Sequence, residues 1–165
     1  MFRSPMRLDA RNRTMTLAVT AVVTAAVAVV TFTGARAGTA VLGVLGIILL
    51  LAWAMAPSGV TVRDGELLVD RRAWSPLRVP LASITSAAPI ASLGAGTLRL
   101  FGVGGFFGSY GLFSNGELGR FRLYATRAGQ AVLVKRAGGA LPLVLTPEDI
   151  AGTIAAIDGR PQVVF

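Results

Sequence analysis

Apolar residues fill the first third of the chain in two unbroken runs, and only after Gly59 do apolar and polar positions begin to alternate. Between Arg13 and Arg63 the sole charged residue is Arg36, which separates Thr14–Ala35 (22 residues) from Ala37–Val62 (26 residues). A helix rising about 1.5 Å per residue needs roughly 20 residues to cross a hydrocarbon core of about 30 Å, so each run suffices. Helical geometry would satisfy every backbone polar group while the Ala, Val, Leu, Ile and Thr side chains face lipid. The short link Gly34–Thr39 forces an antiparallel hairpin over 14–58, with helices at about 14–35 and 39–57 and Arg36 at its tip. Residues 1–13 form a basic segment ahead of it. Trp53, followed by Pro57-Ser58-Gly59, marks the exit, either in an aromatic belt at the interface or packed on the first helix. Ala35-Arg36-Ala37 superficially suggests a secretory cleavage site, but the first run exceeds the roughly 7–15 residues of such a leader and a second run follows at once.

From Gly59 onward the period is that of strands. Val60-Thr61-Val62 and Leu67-Leu68-Val69 flank Arg63-Asp64-Gly65-Glu66, and Asp-Gly between two β-prone runs signals a hairpin. Further strands are expected at Leu77–Val79, Thr97–Phe101, Arg120–Thr126, Ala131–Lys135 and Leu141–Leu145, with Val79–Ile84 as an edge segment or turn because of Pro80. Gly129-Gln130 and Gly138-Gly139 supply turns. The pattern predicts about seven strands in a bent antiparallel sheet, sandwich or small barrel. Thr146-Pro147-Glu148-Asp149 then reads as a helix start with Thr146 as N-cap. Ile150, Ile154 and Ile157 share one face of that helix, and Asp158-Gly159 ends it in a left-handed turn.

Charge sets the orientation. Arg3, Arg7, Arg11 and Arg13 precede the first span and Arg63, Arg71, Arg72 and Arg78 follow the second, so the positive-inside rule places both ends in the cytoplasm and the tip outside. The chain carries a net charge of +8, 53% hydrophobic residues and a mean hydropathy of +0.66, the apolar excess lying in the first third. Basic charge beside a bilayer favours anionic headgroups. The arginines are scattered and no recognition motif accompanies them, which argues against nucleic acid. Cysteine is absent, excluding disulfides and thiolate metal sites.

Catalysis has little to stand on. There is no histidine, and of eight acids Glu148 and Asp149 belong to the helix start, Asp64 to a turn, and Glu117 to a turn edge. Gly102, Gly104 and Gly108 miss the spacing of a dinucleotide fingerprint. No catalytic residue, cofactor or metal is therefore expected, and two spans without an intramembrane ionisable group offer no transport path.

The order of hairpin, Arg78-Val79-Pro80-Leu81-Ala82-Ser83-Ile84, the glycine and aromatic segment Leu98–Phe113, Gly119–Thr126 and Thr146-Pro147-Glu148-Asp149 resembles a bacterial pleckstrin-homology-like domain, over roughly Val60–Asp158. The resemblance implies an α+β membrane protein: a two-helix transmembrane hairpin, then at 59–158 a roughly seven-stranded antiparallel barrel or sandwich capped by a C-terminal helix, with 159–165 as a tail. It implies a module anchored in the bacterial inner membrane, domain and termini cytoplasmic, that binds a protein partner, senses anionic lipid, or serves a larger membrane complex. Candidate contacts are Arg71, Arg72, Arg99, Phe106, Phe107, Tyr110, Arg120 and Arg122. In the segment Phe101–Phe113 the rings either fill the core, with glycines permitting close approach, or dip into the interface beside Arg99, Arg120 and Arg122. Phosphoinositide binding finds no support, since Arg63 in the first hairpin is balanced by Asp64 and Glu66.

Overall fold

The computed structural model describes residues 1–33, 36–93, 96–105 and 107–159, without the side chains of Arg11, Arg36 and Ala37. Two helices, α1 (Ala10–Thr33) and α2 (Arg36–Met55), form an antiparallel pair. Asp9 starts α1 four residues earlier than the apolar run suggests, because its carboxylate accepts from the Asn12 N–H at 2.8 Å. Along α1 the threonine hydroxyls donate to carbonyls four residues back, as in Thr20 to Thr16 at 2.8 Å and Thr24 to Thr20 at 2.9 Å. These bonds remove free donors from an otherwise apolar surface. Both helices are long and apolar enough to cross a membrane, and their apolar side chains point outward: Leu17, Val29, Ile47 and Leu50 are all exposed. The close contact between them is at Gly38, beside Val30, whereas Gly43 and Gly46 face open space.

Ten strands among the described residues form two open sheets, not a closed barrel. The first holds β1 (Phe2–Pro5), β2 (Pro57–Arg63), β3 (Glu66–Arg71) and β4 (Leu77–Pro80), in that order. Asp64 and Gly65 take φ of 52° and 75°, the paired positive values that a two-residue hairpin turn needs. The second holds β5 (Ile84–Ile90), β6 (Leu98–Val103), β7 (Ser109–Asn115), β8 (Gly119–Ala125), β9 (Ala131–Arg136) and β10 (Leu143–Leu145), ordered β5-β9-β10-β8-β7-β6. The expected seven strands correspond to β2, β3, β4, β6, β8, β9 and β10. The three others lack an alternating signature: β1 is four residues, β5 is rich in small residues and contains Pro89, and β7 carries Gly111.

β1 precedes α1 and β2 follows α2, yet they pair antiparallel with Phe2 opposite Val62 and Arg3 opposite Thr61. The chain leaves a sheet, runs out and back through the helical hairpin, and re-enters the same sheet. Residues 1–13, expected as a basic extension, are thus divided between a strand and a helix start. Met6 is buried and donates its N–H to the Ser58 carbonyl at 3.0 Å.

One core lies between the sheets, with Leu67, Val69, Val134, Leu143, Leu145 and Ile157 fully buried. Burial of each such side chain contributes roughly 1.5–3 kcal/mol. A second core, on the other face of the six-stranded sheet, gathers Phe113, Phe121, Leu123 and Val144 beneath Leu93. The closing helix α3 (Ile150–Asp158) begins three residues later than Thr146-Pro147 suggests. β1 takes the amides that would otherwise start it: Glu148 N–H donates to the Pro5 carbonyl at 3.0 Å and Asp149 N–H to Ser4 Oγ at 2.9 Å. Asp149 becomes the N-cap, accepting from Gly152 N–H at 2.7 Å. Gly159, expected in a left-handed turn, has φ of −67° and ends the helix without one.

Candidate functional site

The glycine and aromatic segment is built around β6 and β7, which cross with Gly102 opposite Gly111. A Cβ on Gly102 would strike the Tyr110 carbonyl, and one on Gly111 the Phe101 carbonyl, so the close approach requires both glycines. Gly105 and Phe107, between the strands, lie against α1 of the helical hairpin. Phe107 N–H donates to Thr16 Oγ1 at 3.1 Å, and the Phe107 ring borders a cavity shared with Val19, Thr20, Leu49 and Trp53. Phe107 therefore sits at the level of the second turn of α1, within the apolar run.

Where α2 ends, three aromatic and basic side chains converge. Tyr110, buried on β7, donates its hydroxyl to the Ala52 carbonyl in the last turn of α2. Burial pushes the Tyr110 phenol up to about 12, against an opposing pull from the Arg71 charge. Tyr124 stands directly across from Tyr110 in the β7–β8 ladder. The Arg71 guanidinium lies over the Tyr124 ring, 5.9 Å from its centroid, with Nη2 3.4 Å from the Tyr124 hydroxyl. Arg71 Nε is buried and finds no hydrogen-bond partner among the described residues.

These groups line a cleft of about 610 Å³ between α2 and the sheets. Its apolar wall is Ile48, Leu51 and Met55 of α2 facing Leu100 and Phe101 of β6, and Arg99 lies on its rim. Ile48, Leu100 and Phe101 are all substantially exposed, Phe101 at 79%. The residues after Arg71 stay with the helix end: Arg72 N–H donates to the Ala56 carbonyl and Ala73 N–H to the Ala54 carbonyl, each at 3.0 Å. Arg72 and Trp74 are exposed beside it.

The expected contact residues are thus only partly assembled. Arg71, Arg99 and Tyr110 share the cleft, Phe107 lies against the helices, and Arg72 flanks the helix end. Phe106 is outside the described residues. Arg120 and Arg122 share the face of Tyr124 but lie four and two residues before it on β8, about 14 and 7 Å away at some 3.4 Å per residue. Neither lines the cleft. Burial first, and the Arg122 charge second, lower the pKa of Arg136. Tyr124, Phe101 and the α2 side chains were not among the candidate contacts. Tyr124 could have been reached by following the β8 alternation from Arg122, but its partnership with Arg71 depends on how the two sheets meet.

A family model described as Bacterial PH domain matches residues 58–160, well over half of the chain. The chain belongs to this family. Its PH domain is preceded by two apolar helices and extended by a strand, β1, from ahead of them. No curated protein and no solved structure matches the chain. PH domains are generally interaction modules rather than enzymes.

Proposed function

We propose that this protein is an integral inner-membrane interaction module that holds its PH domain against the cytoplasmic leaflet and contacts lipid there. The carrying observation is that the basic and aromatic cleft opens at the last turns of α2, with Phe107 packed further along the same hairpin. Outward apolar side chains along both helices support insertion, since a core helix of a soluble protein would be mostly buried. The β1–β2 pairing requires both ends of the hairpin to lie on one side, in keeping with the arginine asymmetry that favours the cytoplasm. Arg72, Trp53 and Trp74 suit the headgroup level.

A protein partner is favoured by a separate observation. β5 ends the six-stranded sheet among the described residues, and an apolar groove between it and α3 is bordered by Pro89, Ile90, Ile150 and Ile154. An extended segment could add to that edge.

The absence of cysteine makes topology directly readable. Single cysteines are placed at Glu117 in the β7–β8 turn and at Thr33 at the end of α1, and intact cells and inverted vesicles are treated with a membrane-impermeant maleimide. Labelling of Glu117→Cys only in inverted vesicles and of Thr33→Cys only in cells supports the proposal. Labelling of both from one side, or release of the protein by alkaline carbonate, overturns it.

A further inference from the structure

We infer that the cleft between α2 and β6 is a binding site for one anionic phospholipid, its phosphate held by Arg71 and Arg99 and its acyl chains lying along Ile48, Leu51, Leu100 and Phe101. The inference rests on the membrane reading above. Three observations carry it.

Arg71 is a charge with unused capacity. Its Nε–H is buried without an acceptor among the described residues, an unfavourable arrangement for a charged group unless a ligand supplies the missing oxygen. The guanidinium face is already occupied by the Tyr124 ring, which leaves the planar edge with its N–H groups to meet an incoming anion. Arg99 also lines the cleft, its guanidinium beside Gly104, and among the described residues no acid lines the cleft to neutralise either arginine. Two cations without a counter-charge at an apolar boundary match a phosphodiester, which accepts paired N–H bonds.

The rest of the wall selects a lipid over a soluble phosphate. Ile48, Leu51, Ala52 and Met55 repeat at the spacing of one helical face, and they run from the arginines back toward the middle of α2. Leu100 and Phe101 oppose them from an edge strand, where they are 50% and 79% exposed among the described residues. A free phosphate would use the arginines alone. A phospholipid uses both the cationic end and the apolar slot, and it enters from the leaflet in which the slot already lies.

The test uses the full chain in detergent micelles, equilibrated with equal amounts of phosphatidylglycerol and phosphatidylcholine, with bound lipid read by native mass spectrometry. We expect retention of one phosphatidylglycerol in preference to phosphatidylcholine. Each basic group near the headgroup contributes about fivefold, so R71M and R99Q should each reduce the preference by about that factor and the double variant should abolish it. Arg120→Gln, outside the cleft, should leave it unchanged, and millimolar inorganic phosphate should not displace the lipid. Equal retention of both lipids by the wild type, or an unchanged preference in R99Q, overturns the inference; R99Q alters an exposed strand position and does not depend on the fold surviving loss of Arg71. Displacement by inorganic phosphate also overturns it, in favour of a soluble anion. Failure of the membrane reading is separate, since it shows as carbonate release.

Discussion

The Tyr110 hydroxyl donates to the carbonyl of Ala52, so a strand of the PH domain closes the C-terminal end of an apolar helix. The last four carbonyls of a helix have no partner within it. Here Ala52 is met by Tyr110, Trp53 by the Ala56 N–H at 3.2 Å and Ala54 by the Ala73 N–H at 3.0 Å. Domain and helix are thereby joined by directional bonds at the point where α2 gives way to β2.

Tyr110→Phe should keep the ring in place and leave a buried carbonyl unpaired, lowering the stability of the PH domain by about 1–3 kcal/mol in thermal unfolding of the micellar protein. The same residue predicts an alkaline transition. Its folded pKa of about 12 lies above the ordinary tyrosine value near 10, so its contribution is fully present below about pH 10 and is lost as pH rises through 12. The difference in phenolate absorbance between wild type and Tyr110→Phe should have its midpoint near 12; a midpoint at 10 would contradict the buried, bonded phenol.

Ser4 joins the segment before the hairpin to the start of α3, accepting from the Asp149 N–H while itself 1% exposed. Ser4→Ala removes that acceptor and should cost about 1–2 kcal/mol. The flanking ion pairs Arg3–Asp70 at 3.9 Å and Arg7–Glu148 at 3.4 Å are exposed on the arginine side, so Arg7→Gln should change stability by less than about 1 kcal/mol. Chemical denaturation of the three proteins side by side decides whether β1 is held by its buried bond or by its surface charges.

Gly102→Ala would drive a methyl into the Tyr110 carbonyl at a residue with φ of 121°. The expected loss is about 3 kcal/mol or more, with the β6–β7 pairing disrupted. Gly116, in the β7–β8 turn, faces open space, and Gly116→Ala should stay within about 0.5 kcal/mol. Amide hydrogen exchange of β7, fast in the first variant and unchanged in the second, checks both.

What could be read from the sequence follows from the range of the interactions involved. The two apolar runs and the Asp64-Gly65 hairpin are local patterns, and the structure holds helices and a tight turn there. The bacterial PH domain was recognisable from the order of its segments, and the family match covers nearly the same residues. β1 was invisible because Phe2-Arg3-Ser4-Pro5 has no period of its own and forms a strand only by adding to β2, more than fifty residues away. The same pairing moved the start of α3, since Ser4 and Pro5 compete for the amides of Asp149 and Glu148. Arg71 was marked as basic, but its stacking on Tyr124 comes from the meeting of two sheets, which no local pattern encodes.

The aromatic segment was open to two readings, as core or as interface, and its rings divide between buried and exposed positions. Phe113 is 7% exposed and stacks on Phe121, with centroids 6.3 Å apart and planes at 26°. Phe101, twelve residues earlier, is 79% exposed on the edge strand. Phe113→Ala should therefore cost about 3–5 kcal/mol, because the cavity it leaves lies under Leu93 in the second core. Phe101→Ser removes a ring that contributes little to folding and should change stability by no more than about 0.5 kcal/mol. If Phe101 lies in the interface, a fluorophore at its position should instead report the bilayer: Phe101→Trp, with Trp53 and Trp74 replaced by Phe, should be quenched by lipids brominated near the headgroup. A large loss of stability in Phe101→Ser would return that ring to the core and remove the apolar wall from the lipid site.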